Sequence, residues 1–233
     1  MIAVTFALPE ESKDFIARLE KVEALEKGGL PVFRGEMNGR EIIVCHTGVG
    51  LERAAARMAA FLAQKRFDYV ISAGFAGGLD PRLTPGQVVI AGNYSADALV
   101  EAARLIPGER FYGRLSTQER IVETVEEKRN LFERTGAAAV DMETEAIFHA
   151  CRQRGIALLS VRAISDAAGD PLPVPYSVWF DAAAQRPRIG SLLFYLATHP
   201  ARIPAFARFV RNVGRARKAL AAFLTAFPSS VQS

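Results

Sequence analysis

Short apolar runs recur along this chain with room for one amphipathic helix between many of them, and this spacing constrains the fold more than any other feature. Strand-like runs fall near 2–7, 32–36, 41–46, 69–73, 87–91, 137–141 and 157–164. Helical periodicity covers 9–20, 51–65, 118–134 and 143–154. Gly155 stands where a helix C-terminal cap precedes the next strand. Such alternation predicts an α/β layer fold around a parallel or mixed sheet, with ligands bound where strands end. At 233 residues the chain is long enough for one well-buried core. No run approaches the roughly 18 apolar residues of a membrane span, and the opening MIAVTFALPEE reads as a strand, not a signal peptide.

The Pro-rich, polar stretch 170–188 predicts a hinge. It separates a catalytic unit over 1–180 from a helical extension of the same domain over 181–233. Charge is distributed accordingly. The net charge is +4, yet no acidic residue follows Asp181 while eight basic ones do. Without those eight, 21 basic residues face 25 acidic ones, so the body is about −4. On a helical wheel for 206–227, Phe206, Phe209, Val210, Val213, Leu220, Leu224 and Phe227 share a face. Arg208, Arg211, Arg215 and Lys218 lie opposite, and Arg217 falls on the apolar side. Two readings compete: a helix packed on the core with a solvated basic face, or an interfacial helix meeting anionic lipid. No aromatic–basic platform accompanies the charge, so nucleic acid is not an expected partner. Cys45 and Cys151 suit reduced, packed thiols in a cytoplasmic protein, in peripheral contact with the inner membrane face under the second reading. His46, His149 and His199 have no metal-ligand spacing, and no metal or cofactor is expected.

Two glycine-rich stretches mark candidate ligand loops. SAGFAGGLDP (72–81) follows the run at 69–73, and TGVGLERA (47–54) opens a helix whose positive end suits an anion or a polar ligand edge. Neither has the dinucleotide or phosphate-loop spacing. Glu10 and Glu11 follow the first strand, Glu143 the strand at 137–141, and Asp166 the strand at 157–164. Acids at three strand ends can converge on one crevice, where burial and repulsion keep one protonated while another is ionised. Helix capping competes with that reading. Capping is the better account of Glu10, Asp141 and Glu145. For Glu11, Glu143 and Asp166 the two weigh equally.

VDMETEA (140–146) followed by VRAISDAAGD (161–170), and preceded by ALPEES and SAGFAGGL, resembles the nucleoside phosphorylase and nucleosidase superfamily. The large branch most like it is methylthioadenosine/S-adenosylhomocysteine nucleosidase, over roughly residues 2–170. The stretch RLSTQERIVETVEEKRNLFERTGAAAVDMETEA and the tail RIGSLLFYLATHPARIPAFARFVRNVGRARKAL are similar to the adenosylhopane nucleosidases, which extends the likeness to nearly the whole chain. The resemblance implies a three-layer αβα fold with a central mixed sheet or distorted barrel, carrying a C-terminal basic amphipathic helical extension. It implies cleavage of a purine N-glycosidic bond by a homo-oligomer, with a dimer favoured. Carried over, Asp166 protonates the base at N7, Glu143 holds the ribose hydroxyls over Met142, and Glu11 activates water. Ser165 supports Asp166 or the base. Val49, Phe75, Ala76 and Gly77 lie beside sugar and base, and Arg120 stacks on the purine. Departures favour hydrolysis over phosphorolysis: Phe75 replaces a serine common in relatives, and LPEES replaces the phosphate-binding glycine-and-arginine pattern. The short segment 92–118 implies an open site that admits a bulky 5′ substituent. A phosphorylase, and a catalytically silent nucleoside-binding or membrane-associated protein, remain as alternatives.

Overall fold

A computed structural model describes residues 1–27 and 30–230, so the final three residues of the expected extension lie outside the described residues. The described residues fold around one ten-stranded mixed sheet. Its strands are β1 (Ile2–Phe6), β2 (Glu20–Lys27), β3 (Leu30–Met37), β4 (Arg40–His46), β5 (Tyr69–Gly78), β6 (Val88–Ala91), β7 (Phe111–Gly113), β8 (Leu115–Thr117), β9 (Ala139–Asp141) and β10 (Ala157–Asp166). The spatial order is β2-β3-β4-β1-β5-β10-β6-β7, with β9 attached to β5 and β8 to β9. At the centre, β4, β1, β5 and β10 run parallel. A small hairpin, β11 (Phe180–Asp181) with β12 (Arg186–Pro187), stands apart.

Both faces of the sheet are covered, because the central strands are apolar on both sides. Ile2, Val4 and Phe6 face one layer with Ile71, where they meet Phe15 of α1 (Pro9–Ile16), Leu99 of α3 (Asp97–Arg104) and Leu220, Leu224 and Phe227 of α8 (Ile203–Ser230). Ala3, Ile43 and Val70 face the other, against Met58 and Phe61 of α2 (Leu51–Leu62) and Ile147 of α5 (Thr144–Gln153). The three-layer αβα fold expected from the sequence is the fold observed. The far half of the basic tail helix packs on the core, and Arg217, expected on its apolar side, pairs with Asp14 at 2.9 Å.

Three expectations change. Ser72–Gly78 is not a turn: β5 runs through it, pairing with β10 as far as Gly77 and then with β9. Two of its glycines make room for carboxylates. A Cβ at Gly74 would lie 3.0 Å from Glu11 Oε1, and one at Gly77 would lie 3.3 Å from Asp166 Oδ2. The helix expected over 118–134 starts later, as α4 (Val125–Thr135), because Thr124 and Glu127 form a capping box while Leu115–Thr117 join the sheet. Arg120 therefore sits on a loop. Strand β2 escaped notice because EKVEALEK is an exposed edge with little apolar alternation.

Candidate active site

Where β1, β5, β9 and β10 end, the side chains enclose a cavity of about 520 Å³. Glu11, Val49, Phe75, Ala76, Gly77, Arg120, Met142, Glu143, Ser165 and Asp166 all line it, so every expected site residue borders one space. Each acid is held differently.

Glu11 is buried in the first turn of α1, and its carboxylate accepts from three backbone N–H groups: Ala7 at 2.9 Å, Leu8 at 3.0 Å and Phe75 at 2.8 Å. Burial raises its pKa against the opposing pull of those donors. Glu143 stands at the N-cap position of α5 and accepts from Gly50 N at 2.9 Å. Gly50, at φ 98°, opens α2, so the anion drawn to that helix start is the protein's own carboxylate. Burial first, then repulsion from Asp141, pushes Glu143 up to about 8.

Asp166 closes β10, where the register with β5 shifts between Ile164 and Asp166. Its Oδ1 accepts from Ser165 Oγ at 2.5 Å, and its Oδ2 meets the ammonium of Lys128. Ser165 Oγ also lies 3.2 Å from Ala76 O. Lys128, on α4, is fully buried and also donates to Ala167 O and Asp170 O, each at 2.8 Å. That spends all three of its protons. Asp141 combines capping with pairing. It accepts from Thr144 N at 3.2 Å and from the Thr144 hydroxyl, and also from Thr117 Oγ1 at 2.8 Å and Arg162 Nε at 2.9 Å. Glu145 is remote from this centre, 3.7 Å from His149, and Glu10 lies on the exposed rim.

Lys128 and Arg162 were missed from sequence. For Arg162 a signal existed: a guanidinium inside the buried run LLSVRAISD demands a carboxylate partner. For Lys128 there was none, since a lysine in a capped amphipathic helix reads as solvated. Arg120, expected on the purine, is 79% exposed at the mouth and pairs with Glu127 at 2.7 Å. A second wall was also missed. Tyr176, Trp179 and Phe180 form an aromatic cluster with centroids 5.1–5.9 Å apart. Beyond it lie Ile189 and Leu192 of α7 (Ile189–Thr198), and Phe206, Phe209 and Val213 of α8. The Tyr176 hydroxyl is buried with no hydrogen-bond partner among the described residues. The cavity thus has an acidic end and an apolar end.

The Glu143 environment sets a pH signature for stability. A carboxyl whose folded pKa is raised contributes stability below its ordinary range and loses it as pH rises through the folded value. Wild-type stability therefore falls through about pH 8. Glu143→Gln removes that fall, and the variant gains on wild type by on the order of 2 kcal/mol between about pH 6 and about pH 9. Calorimetric melts across that range check it; a difference independent of pH counts against the buried-carboxyl assignment.

The sequence profile described as Phosphorylase superfamily matches residues 1–114 and 96–187. The 5′-methylthioadenosine/S-adenosylhomocysteine nucleosidase of Geobacillus kaustophilus is 30% identical over 216 residues, covering 78% of this chain and 91% of that protein. Among solved structures, futalosine hydrolase of Helicobacter pylori superposes with TM-score 0.76 at 17% identity, covering 99% of this chain and 97% of that one. The methylthioadenosine/S-adenosylhomocysteine nucleosidase of Neisseria meningitidis, in complex with methylthio-immucillin-A, gives TM-score 0.76 at 22% identity, covering 99% of each chain.

Proposed function

Because the chain belongs to the phosphorylase superfamily, we propose that it is an N-glycosyl hydrolase that releases adenine from a purine nucleoside bearing a large apolar 5′ substituent. Adenosylhopane is the specific substrate we put forward. One observation carries the reading: Glu11, Glu143 and Asp166, remote in sequence, line the polar end of a cavity whose other end is apolar.

In this reading Asp166, ionised against Lys128 in the free protein, takes up a proton from water once a purine is bound and gives it to N7 as the C1′–N9 bond breaks, so the bonding pair leaves on a neutral purine. The carboxyl sits between Ser165 and the Lys128 ammonium, at the end of a buried donor chain. The ribose ring becomes cationic, and the Glu11 carboxylate is the nearby anion able to stabilise that charge; Glu143, pushed up to about 8, meets it mainly as a neutral acid near pH 7. Glu11, made a stronger base by its burial, accepts the proton of the attacking water, whose oxygen bonds to C1′. Glu143 accepts from the ribose hydroxyls, with Met142 packed beneath the ring. Val49, Phe75, Ala76 and Gly77 shape the space around sugar and base, and Tyr176 offers a hydroxyl to substrate. The exposure of Arg120 supports a role at the mouth, where it can reach a bound base by rotation.

Hydrolysis rather than phosphorolysis is supported by the state of the cations. Arg162 is committed to Asp141, Thr144 and Ser72, and Lys128 to Asp166 and two carbonyls. Neither is available to hold a phosphate nucleophile, and Arg120, the cation that lines the cavity, stands at its exposed mouth paired with Glu127.

The test is incubation with adenosine, methylthioadenosine and adenosines of increasing 5′ alkyl length, each with and without phosphate. Adenine and free sugar are expected without phosphate, with kcat/KM rising with chain length. A strict phosphate requirement with a sugar 1-phosphate product makes the protein a phosphorylase. Fastest turnover of methylthioadenosine removes the apolar 5′ preference.

A further inference from the structure

Among the described residues eight large hydrophobic side chains are exposed, and five of them cluster on one projecting segment. These are Ile189 at 56%, Leu193 at 62%, Phe194 at 73%, Ile203 at 47% and Val210 at 52%. The segment comprises α7, a single 3-10 turn (Pro200–Arg202) and the first turns of α8. Helix α7, IGSLLFYLAT, contains no charged residue and buries none of its side chains fully. A water-facing helix of that composition is costly to leave uncovered.

Two features say what covers it. The first is charge: exposed Arg186, Arg202 and Arg211 stand on or beside the segment in sequence, Arg208 between them is 3.9 Å from Asp170, and no acid follows Asp181 in the chain. A second copy meeting this face about a two-fold axis would bring arginines against arginines. An anionic surface would neutralise them. The second is continuity, since Ile189 and Val210 belong both to the patch and to the wall of the cavity. No described helix is long and apolar enough to cross a bilayer, and α7 at ten residues is suited to lie in the interface.

We infer that the α7–α8 projection docks on an anionic lipid bilayer, with Leu193 and Phe194 entering the acyl boundary and the flanking arginines meeting the headgroups. The cavity mouth then faces the membrane. Resting on the proposed apolar 5′ substituent, this lets a lipid-tailed nucleoside pass from bilayer to active site without crossing water.

Flotation of the full chain with vesicles of phosphatidylcholine containing phosphatidylglycerol, and with phosphatidylcholine alone, tests the docking. Binding is expected to the anionic vesicles, weakened by salt. Leu193→Asp and Phe194→Asp are each expected to lower the partition coefficient roughly tenfold or more. Both side chains are exposed, so the variants should melt as wild type does, and soluble methylthioadenosine should be hydrolysed at an unchanged rate. Hydrolysis of a vesicle-borne 5′-alkyl adenosine is expected to fall with the loss of binding. No flotation on anionic vesicles, or flotation untouched by the two aspartates, overturns the docking. So does a wild-type dimer that the aspartates dissociate without any lipid binding, which gives the face to a second copy. Absence of base release from any nucleoside, with flotation intact, overturns the enzymatic reading and leaves the docking standing.

Discussion

Asp166→Asn is expected to lower kcat by about 10²- to 10⁴-fold, the range that a positioned general acid contributes, while KM changes far less. The amide keeps the carboxyl's shape and can still accept from Lys128, but its N–H protons are not acidic enough to be transferred to N7. Loss of leaving-group protonation acts on the transition state, so kcat and kcat/KM should fall together. Single-turnover release of adenine measures the effect, with equilibrium binding of an uncleavable nucleoside run beside it. Wild type that binds nucleosides but releases no base, with Asp166→Asn behaving identically, would make the chain a binding protein. A variant that loses binding as much as turnover would move Asp166 from acid to anchor.

The largest stability effect should come from Lys128→Met. The ammonium is fully buried and serves three acceptors, one of them the Asp166 carboxylate. Removing it leaves that charge and two carbonyls unpaired out of water. Breaking a buried pair from one side costs about 3–5 kcal/mol, a large part of the stability of a domain. Combined with Asp166→Asn the loss should be smaller than the sum of the two single losses, because an uncharged amide needs no counter-ion. Urea unfolding of the four proteins supplies the cycle. Strict additivity would mean that the pair is not coupled, and Lys128 would then be a packing residue.

The layer architecture was legible because burial on both sides of a strand writes itself into residues 2–7, 41–46, 137–141 and 157–164 as largely apolar runs. The acids were legible for the opposite reason: Glu143 and Asp166 stand where those runs stop, and strand ends are where ligands bind. The edge strand β2 left no such mark, since one row of its backbone groups and most of its side chains face water. SAGFAGG misled because glycine usually marks a turn. Here it extends β5 and frees space for Glu11 and Asp166, a need set by residues more than sixty positions away from Gly74 and nearly ninety from Gly77. Lys128 was invisible for a related reason, its partner being 38 residues distant.

Local sequence, then, determined the elements and the acids, because both depend on side-chain polarity at short range. Tertiary structure alone decided which groups neutralise which: that Gly50 would bond Glu143, that Lys128 would meet Asp166, and that Arg162 would be spent on Asp141. It also decided that the tail helix would divide its labour, with Leu220, Leu224 and Phe227 in the core and Phe206, Phe209 and Val213 on the cavity wall. One helical wheel put all six on a single apolar face. What lies opposite a helix face is set by contacts across the chain, and helical periodicity carries no information about them.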